Sequence, residues 1–242
     1  MQTRALETRQ VLITAAGSVF SRVGFENAPL TEICNIAGTT TGALYFHFAS
    51  KSVLAHAVLE EFEEQMRRFC DTVLGLSNPP IESMVIASLG WCRRITTHPI
   101  IAGGVRLSLE RPDLWGRPHE SYDVWTTTTA TLMSRARERG ELSAGVDIAG
   151  ATRFLLGAFI GAQVLSREFT QHDDFEQRVI ELWRYTLAGL LPREGANQAD
   201  QVIDAALRQL ETRGLTPPPP AKSPAGPGSA SAGGRKQVPA RA

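Results

Sequence analysis

The sequence predicts an all-α chain, with an N-terminal three-helix helix-turn-helix unit followed by a larger helical domain. Three observations carry this. Apolar residues recur at i, i+3 and i+4 through most of the chain, while alternating, strand-like runs are scarce. Gly and Pro punctuate the periodic segments at helix-length intervals. Near the N-terminus, two short helical segments joined by a Gly-containing turn follow one longer segment.

Each element has its own signal. A first helix reads from about Thr8 to Val23, with Val11, Leu12, Ala15, Ala16, Val19 and Phe20 as its apolar stripe and Gly24 at the position after its end. Asn27-Ala28-Pro29 reads as the next start, a capping residue followed by Pro in the first turn. Leu30, Ile33, Ile36 and Ala37 form a short second helix that Gly38 ends. Thr39 or Thr40 caps a third helix through Phe46, and Ser50 caps a long fourth one with the stripe Leu54, Val58, Phe62, Met66, Phe69 and Val73. After Asn78-Pro79-Pro80, helical stretches follow over about 81–97, 100–110, 118–139, 147–169, 173–190 and 198–212. The expected division is a DNA-reading unit over 1–52, a second helical domain over 53–213 and a tail over 214–242. That tail is rich in Pro, Gly, Ala and Ser, carries Lys222, Arg235, Lys236 and Arg241 with no acid, and is too poor in apolar residues to fold.

Composition narrows the function classes. The chain has 242 residues, with 43% hydrophobic and 21% charged, the balance of a folded globular protein. No uninterrupted apolar run approaches the ~20 residues of a membrane span, and Met1–Glu7 has no apolar core of the signal-peptide kind. A cytoplasmic protein is expected. Cys34, Cys70 and Cys92 are odd in number and widely spaced, and no Cys/His cluster suggests a metal. The histidines His47, His56, His98, His119 and His172 fall in no catalytic motif, so neither an enzyme nor a cofactor is expected.

The third helix is where chemistry is expected. In a helix-turn-helix the second helix of the pair enters the major groove with its N-terminal residues nearest the base edges. Here those are Thr39, Thr40, Thr41, Gly42 and Ala43. Threonine hydroxyls bond bases or phosphates, and their methyls meet thymine methyls. Gly42 allows close backbone approach. Tyr45, His47 and Lys51 are placed to reach phosphates. Spacing alone equally describes a plain three-helix bundle. Net charge is zero, and residues 1–52 carry four cations (Arg4, Arg9, Arg22, Lys51) against three acids (Glu7, Glu26, Glu32). Affinity for DNA would therefore rest on a few well-placed groups and on pairing of two chains.

The run Leu30-Thr31-Glu32-Ile33, Ala37-Gly38-Thr39-Thr40-Thr41-Gly42-Ala43-Leu44-Tyr45-Phe46-His47-Phe48 and Ser50-Lys51 resembles the signature of the TetR family of one-component regulators. The resemblance covers about residues 8–60. Thr41 stands where the family often has Lys, Arg or Pro. Tyr122, Trp125 and Arg139-Gly140-Glu141-Leu142 further resemble the γ-butyrolactone receptor branch, regulators of antibiotic production, some of which sense antibiotics or other apolar metabolites instead of a hormone. The resemblance implies a homodimeric repressor on a palindromic double-stranded operator, released by a small molecule. It implies pairing through the last two large helices; the small residues Gly150, Ala151, Gly157, Ala158, Gly161 and Ala162 permit close helix approach there. It also implies an apolar pocket with a few inward polar groups. Polar residues in register with apolar stripes, together with those stripes, give the candidate lining Phe62, Gln65, Met66, Phe69, Leu89, Val105, Trp125, Thr129, Phe159 and Gln163. Trp125 is the expected flat wall.

Overall fold

The computed structural model describes residues 2–114, 120–192 and 198–212; the expected tail over 214–242 lies outside them. Among the described residues there are ten α-helices and no strand. They are α1 (Gln2–Val23), α2 (Leu30–Ile36), α3 (Thr41–His47), α4 (Lys51–Leu74), α5 (Pro80–Thr97), α6 (Pro99–Glu110), α7 (Glu120–Glu138), α8 (Ile148–Thr170), α9 (Phe175–Leu190) and α10 (Ala199–Thr212).

α1 begins at Gln2 rather than near Thr8. Arg4, Ala5, Leu6 and Glu7 are good helix formers, and no breaker precedes them. Its stripe is also turned slightly from expectation. Val11 is 47% exposed, and Ile13 takes a core place instead. α2 starts later than the Asn27 cap implied. Pro29 is itself the extended N-cap residue (φ −78°, ψ 129°), and the Asn27 amide turns back to the Val23 carbonyl. Gly38, at φ 63°, makes the left-handed step that ends α2 and aims α3.

α5 is the centre of the second domain. It packs against α4, α6, α7, α9 and α10, and its buried face includes Leu89, Trp91 and Cys92. A half-buried Arg93 guanidinium forks onto the Glu176 carboxylate at 2.8 and 2.7 Å, fixing α5 to α9. A line of aromatic rings runs through the domain from Phe62 to Trp91, Trp125, Phe159 and Phe175, with neighbouring centroids 5.5–6.2 Å apart.

The two domains share one core, and α6 is their main junction. α1 and α6 cross at two glycines. A Cβ on Gly103 would lie 2.5 Å from the Gly17 carbonyl oxygen, so only two glycine backbones fit there.

α8 departs from the composition reading. By length and composition, with a mean hydropathy of 1.5, it is apolar enough to cross a membrane. The sequence expectation of no such segment is corrected here. The helix has Arg153 in its second turn, Arg167 and Glu168 near its end, and one face packed on α7 and α9. Its other face is apolar and open, with Phe154 at 60% and Leu165 at 47% exposure.

Candidate functional site

The reading end is built by α1 to α4. Leu44 and Phe48, four residues apart, are buried and anchor α3 against the bundle. That orientation turns Thr40, Thr41, Gly42 and Tyr45 to the exterior, while Thr39, Ala43 and His47 are half-buried. Thr40 caps α3, its Oγ1 accepting the Ala43 N–H at 3.1 Å, so its hydroxyl hydrogen remains free to donate outward. Ser50 caps α4 in the same way, through Val53 N–H.

Phe46 was not singled out by the sequence reading. It is 81% exposed and meets His47 edge-on at 5.1 Å. The signal was available: Phe46 lies off the Leu44–Phe48 stripe, so a short helix buried along that stripe must expose it.

Lys51 does something other than wait for a phosphate. Its ammonium donates to the Glu26 and Ala28 carbonyls at 2.9 and 3.2 Å and lies 4.9 Å from the Phe25 ring centroid. It ties the α1–α2 corner to the start of α4, and two of its three donors are used in doing so. Arg22 pairs with Glu32, and Arg9 lies over Phe48. Most cations of this unit are thus engaged within it.

The second domain holds a cavity of about 360 Å³ between α4, α5, α6, α7 and α8. Of the ten expected lining residues, Phe62, Met66, Val105, Trp125, Phe159 and Gln163 come together here. The other four do not line it. Gln65 is turned to the flank of α4, donating to Glu61 at 3.0 Å. Phe69 packs on Trp91 at 5.2 Å, and Leu89 lies fully in the core. Thr129 lies behind Trp125, on a small separate void shared with Trp183. The lining also includes Trp91, Ile95, Ser108, Leu109, Tyr122, Leu156 and Ile160. Of these the sequence reading had named only Tyr122, since periodicity does not tell the cavity side of a helix from its core side.

Gln163 is the one buried amide in the lining, 4% exposed. It donates to His172 Nε2 at 3.4 Å, which leaves the imidazole proton on Nδ1. Burial, with the Arg167 charge as the second cause, pushes the His172 pKa down, and the Asp174 charge opposes them. Burial pushes the Cys70 thiol up to about 11 and raises Cys92 further, so these two stay protonated.

One element touches both ends. α6 contributes Val105, Ser108 and Leu109 to the cavity. From its other side Arg106 donates to the Ser21 carbonyl at 2.9 Å, and Arg111 lies 4.3 Å over the Phe25 ring. Glu110 accepts the Phe25 N–H at 3.4 Å.

Comparison with known proteins agrees with this geometry. Residues 12–58 match the family model for bacterial regulatory proteins, tetR family, and residues 78–192 match a tetracyclin repressor-like C-terminal domain. The A-factor receptor protein of Streptomyces griseus is 32% identical over 195 residues, covering 78% of this chain and 66% of that protein. This chain therefore spans about two thirds of that relative's length. A solved gamma-butyrolactone receptor (ArpA-like protein) superposes with a TM-score of 0.72 at 27% identity, over 86% of this chain and 99% of that one. CprB from Streptomyces coelicolor, solved in complex with its biological operator sequence, gives 0.70 at 28% identity, over 86% and 99%.

Proposed function

Because the chain belongs to the TetR family of DNA-binding transcriptional regulators, we propose that it is a homodimeric cytoplasmic repressor of a palindromic operator, released by a small effector of the γ-butyrolactone type. Proteins of this family act by binding DNA, not by catalysis. The observation that carries the proposal is α6, which forms one wall of the 360 Å³ cavity and also grips α1 through Gly103 and Arg106.

α3 is the reader. Thr39, Thr40, Thr41 and Gly42 approach base edges, while Tyr45, Phe46 and His47 meet sugar and phosphate. With so few free cations, one unit binds weakly, and two units on neighbouring turns supply the affinity. The pairing surface is the apolar groove along α8 and α9. Phe154, Leu165 and Tyr185 stand 60, 47 and 79% exposed there, beside Ala158 and Gly189. Only 28% of the apolar stretch of α8 is buried within one chain, so its remaining face calls for a second copy.

In the free dimer the two α3 helices hold the operator spacing. An effector that fits better with α6 displaced moves α1, and α4 through its Phe62 and Met66 contacts with the ligand, and so spoils that spacing. Release from mostly bound to mostly free needs the effector to prefer the displaced state by about 10⁴-fold, roughly 5.5 kcal/mol. The family link to the A-factor receptor and to gamma-butyrolactone receptors supports a γ-butyrolactone as the first effector to test. Mobility shift of a duplex selected by the protein, titrated with a synthetic γ-butyrolactone carrying an alkyl chain to fill the apolar cavity, is the test. Loss of the complex is expected. A complex that persists while tryptophan fluorescence reports an occupied cavity rules out the release mechanism.

A further inference from the structure

Gln163 and Ile95 line the apolar cavity and also a second one of about 330 Å³, between α1, α5, α6, α8 and the α8–α9 turn. The Gln163 amide therefore sits between the two. One end of it is occupied. Nε2 bonds His172, which of the two cavities lines only the second, and whose ring packs on Phe175 at 5.6 Å between centroids. The other end is not. Oε1 accepts no hydrogen bond among the described residues, although Gln163 is only 4% exposed. A buried amide oxygen without a donor costs stability, and a donor brought by a ligand recovers it. Ser108, also in the apolar lining, spends its hydroxyl hydrogen on the Val105 carbonyl at 2.8 Å, so it too offers a ligand only an acceptor.

We propose that Gln163 sets effector specificity, its Oε1 accepting a hydrogen bond from an uncharged hydroxyl on a ligand whose apolar body lies against Trp125. The proposal rests on the reading that the apolar cavity is the effector site, and among neutral lactones it selects those that carry a hydroxyl. Charge narrows the donor. An ionised acid has no hydrogen to give to Oε1. The charged groups around the second cavity, Arg106 and Arg167 against Glu110, Glu168 and Asp173, also leave one net negative charge that repels it. An ammonium would meet no carboxylate in the apolar lining, so its burial there goes uncompensated. A hydroxyl supplies the hydrogen without either penalty. A ligand with an ether oxygen or a methyl group at this point leaves Oε1 unpaired and shut off from water, the condition under which a missing hydroxyl costs most.

The test uses the full chain and two isomeric probes, decan-1-ol and methyl nonyl ether, which contain the same atoms and differ in the O–H. Fluorescence of Trp91 and Trp125, both in the lining, follows their binding. Decanol is expected to bind about tenfold or more tightly than the ether. Gln163→Leu, close in volume but without the acceptor, removes that preference and leaves ether binding within about twofold. Gln163→Met, which fills the same space with a flexible apolar chain, is the second variant and is expected to match it. Decanoate binds the unmodified chain more weakly than decanol. Equal binding of the two isomers to the unmodified chain overturns the hydroxyl selection and leaves the effector-site reading standing. Decanoate binding more tightly than decanol overturns the uncharged donor. Variants that keep the full alcohol preference, or that lose both isomers equally, assign the discrimination elsewhere or Gln163 to structure, and overturn the proposal too. Binding of neither isomer to the unmodified chain removes both readings.

Discussion

Replacing Gly103 with alanine tests the α1–α6 junction with a single methyl group. The new Cβ would lie 2.5 Å from the Gly17 oxygen, 2.7 Å from its Cα and 2.9 Å from its carbonyl carbon. All three are backbone atoms, so no side chain can swing aside. To reach an ordinary contact of 3.4 Å the two helices must part by about 0.9 Å. Overpacking of this kind costs about 1–3 kcal/mol, and backbone on both sides puts the value at the upper end. Alanine returns up to about 1 kcal/mol through helix propensity. The net loss is about 2 kcal/mol, which for a chain of this size lowers the melting temperature by roughly 4–8 °C. Because α1 carries the reading unit, operator affinity falls too, by more than about tenfold. Thermal unfolding and fluorescence anisotropy on a labelled operator duplex measure the two effects. A Gly103→Ala protein with unchanged melting and unchanged affinity would refute the close crossing and its role in setting the reader.

Three further changes probe separate parts of the molecule. Trp125→Ala removes the ring between Trp91 and Phe159; effector affinity drops more than about tenfold while operator affinity holds within about twofold, because the cavity wall is lost and the reader is untouched. Lys51→Ala breaks two charge-assisted bonds to Glu26 and Ala28, and its urea midpoint falls by the equivalent of about 2 kcal/mol; a residue that served phosphate alone would leave the midpoint unchanged. Asp174 accepts from Arg178, Ser166 and Thr170, which hold its carboxyl well below the usual carboxylate range. A depressed folded-state value means that this stabilisation is whole above about pH 4 and is lost as pH falls further. Asp174→Asn therefore melts with a flatter acid limb than the parent below pH ~4, and identical limbs in the two proteins would contradict the assignment.

The fold was largely legible because Gly and Pro mark helix ends by backbone physics that needs no partner. Pro79-Pro80, Pro99 and Gly140 put boundaries within a residue or two of those in the structure. The α1–α2 corner was less legible, since Asn27 and Pro29 compete for the cap and only the packing of Phe25 under Lys51 and Arg111 decides. The cavity was half legible. A helix face broad enough to carry Phe62, Met66 and Phe69 spans both the cavity and the core beneath it. Which of them meets empty space depends on how Trp91 from α5 wedges between. That crossing involves residues far apart in sequence and leaves no local signal. The glycine pair Gly17 and Gly103 was missed for the same reason: either alone reads as a mild helix weakener, and only their meeting gives them a role.

In the proposed mechanism two copies of α3, held apart by one dimer, read DNA. Selection of bound duplexes from a random-sequence library by the purified full chain tests it most directly. The expected outcome is enrichment of an inverted repeat whose half-site centres lie a whole number of helical turns apart, ~34 Å or a multiple of it, with enrichment lost on Tyr45→Ala combined with Thr40→Ala. Enrichment of no sequence, or of a single unrepeated site bound equally well by that double variant, would contradict it.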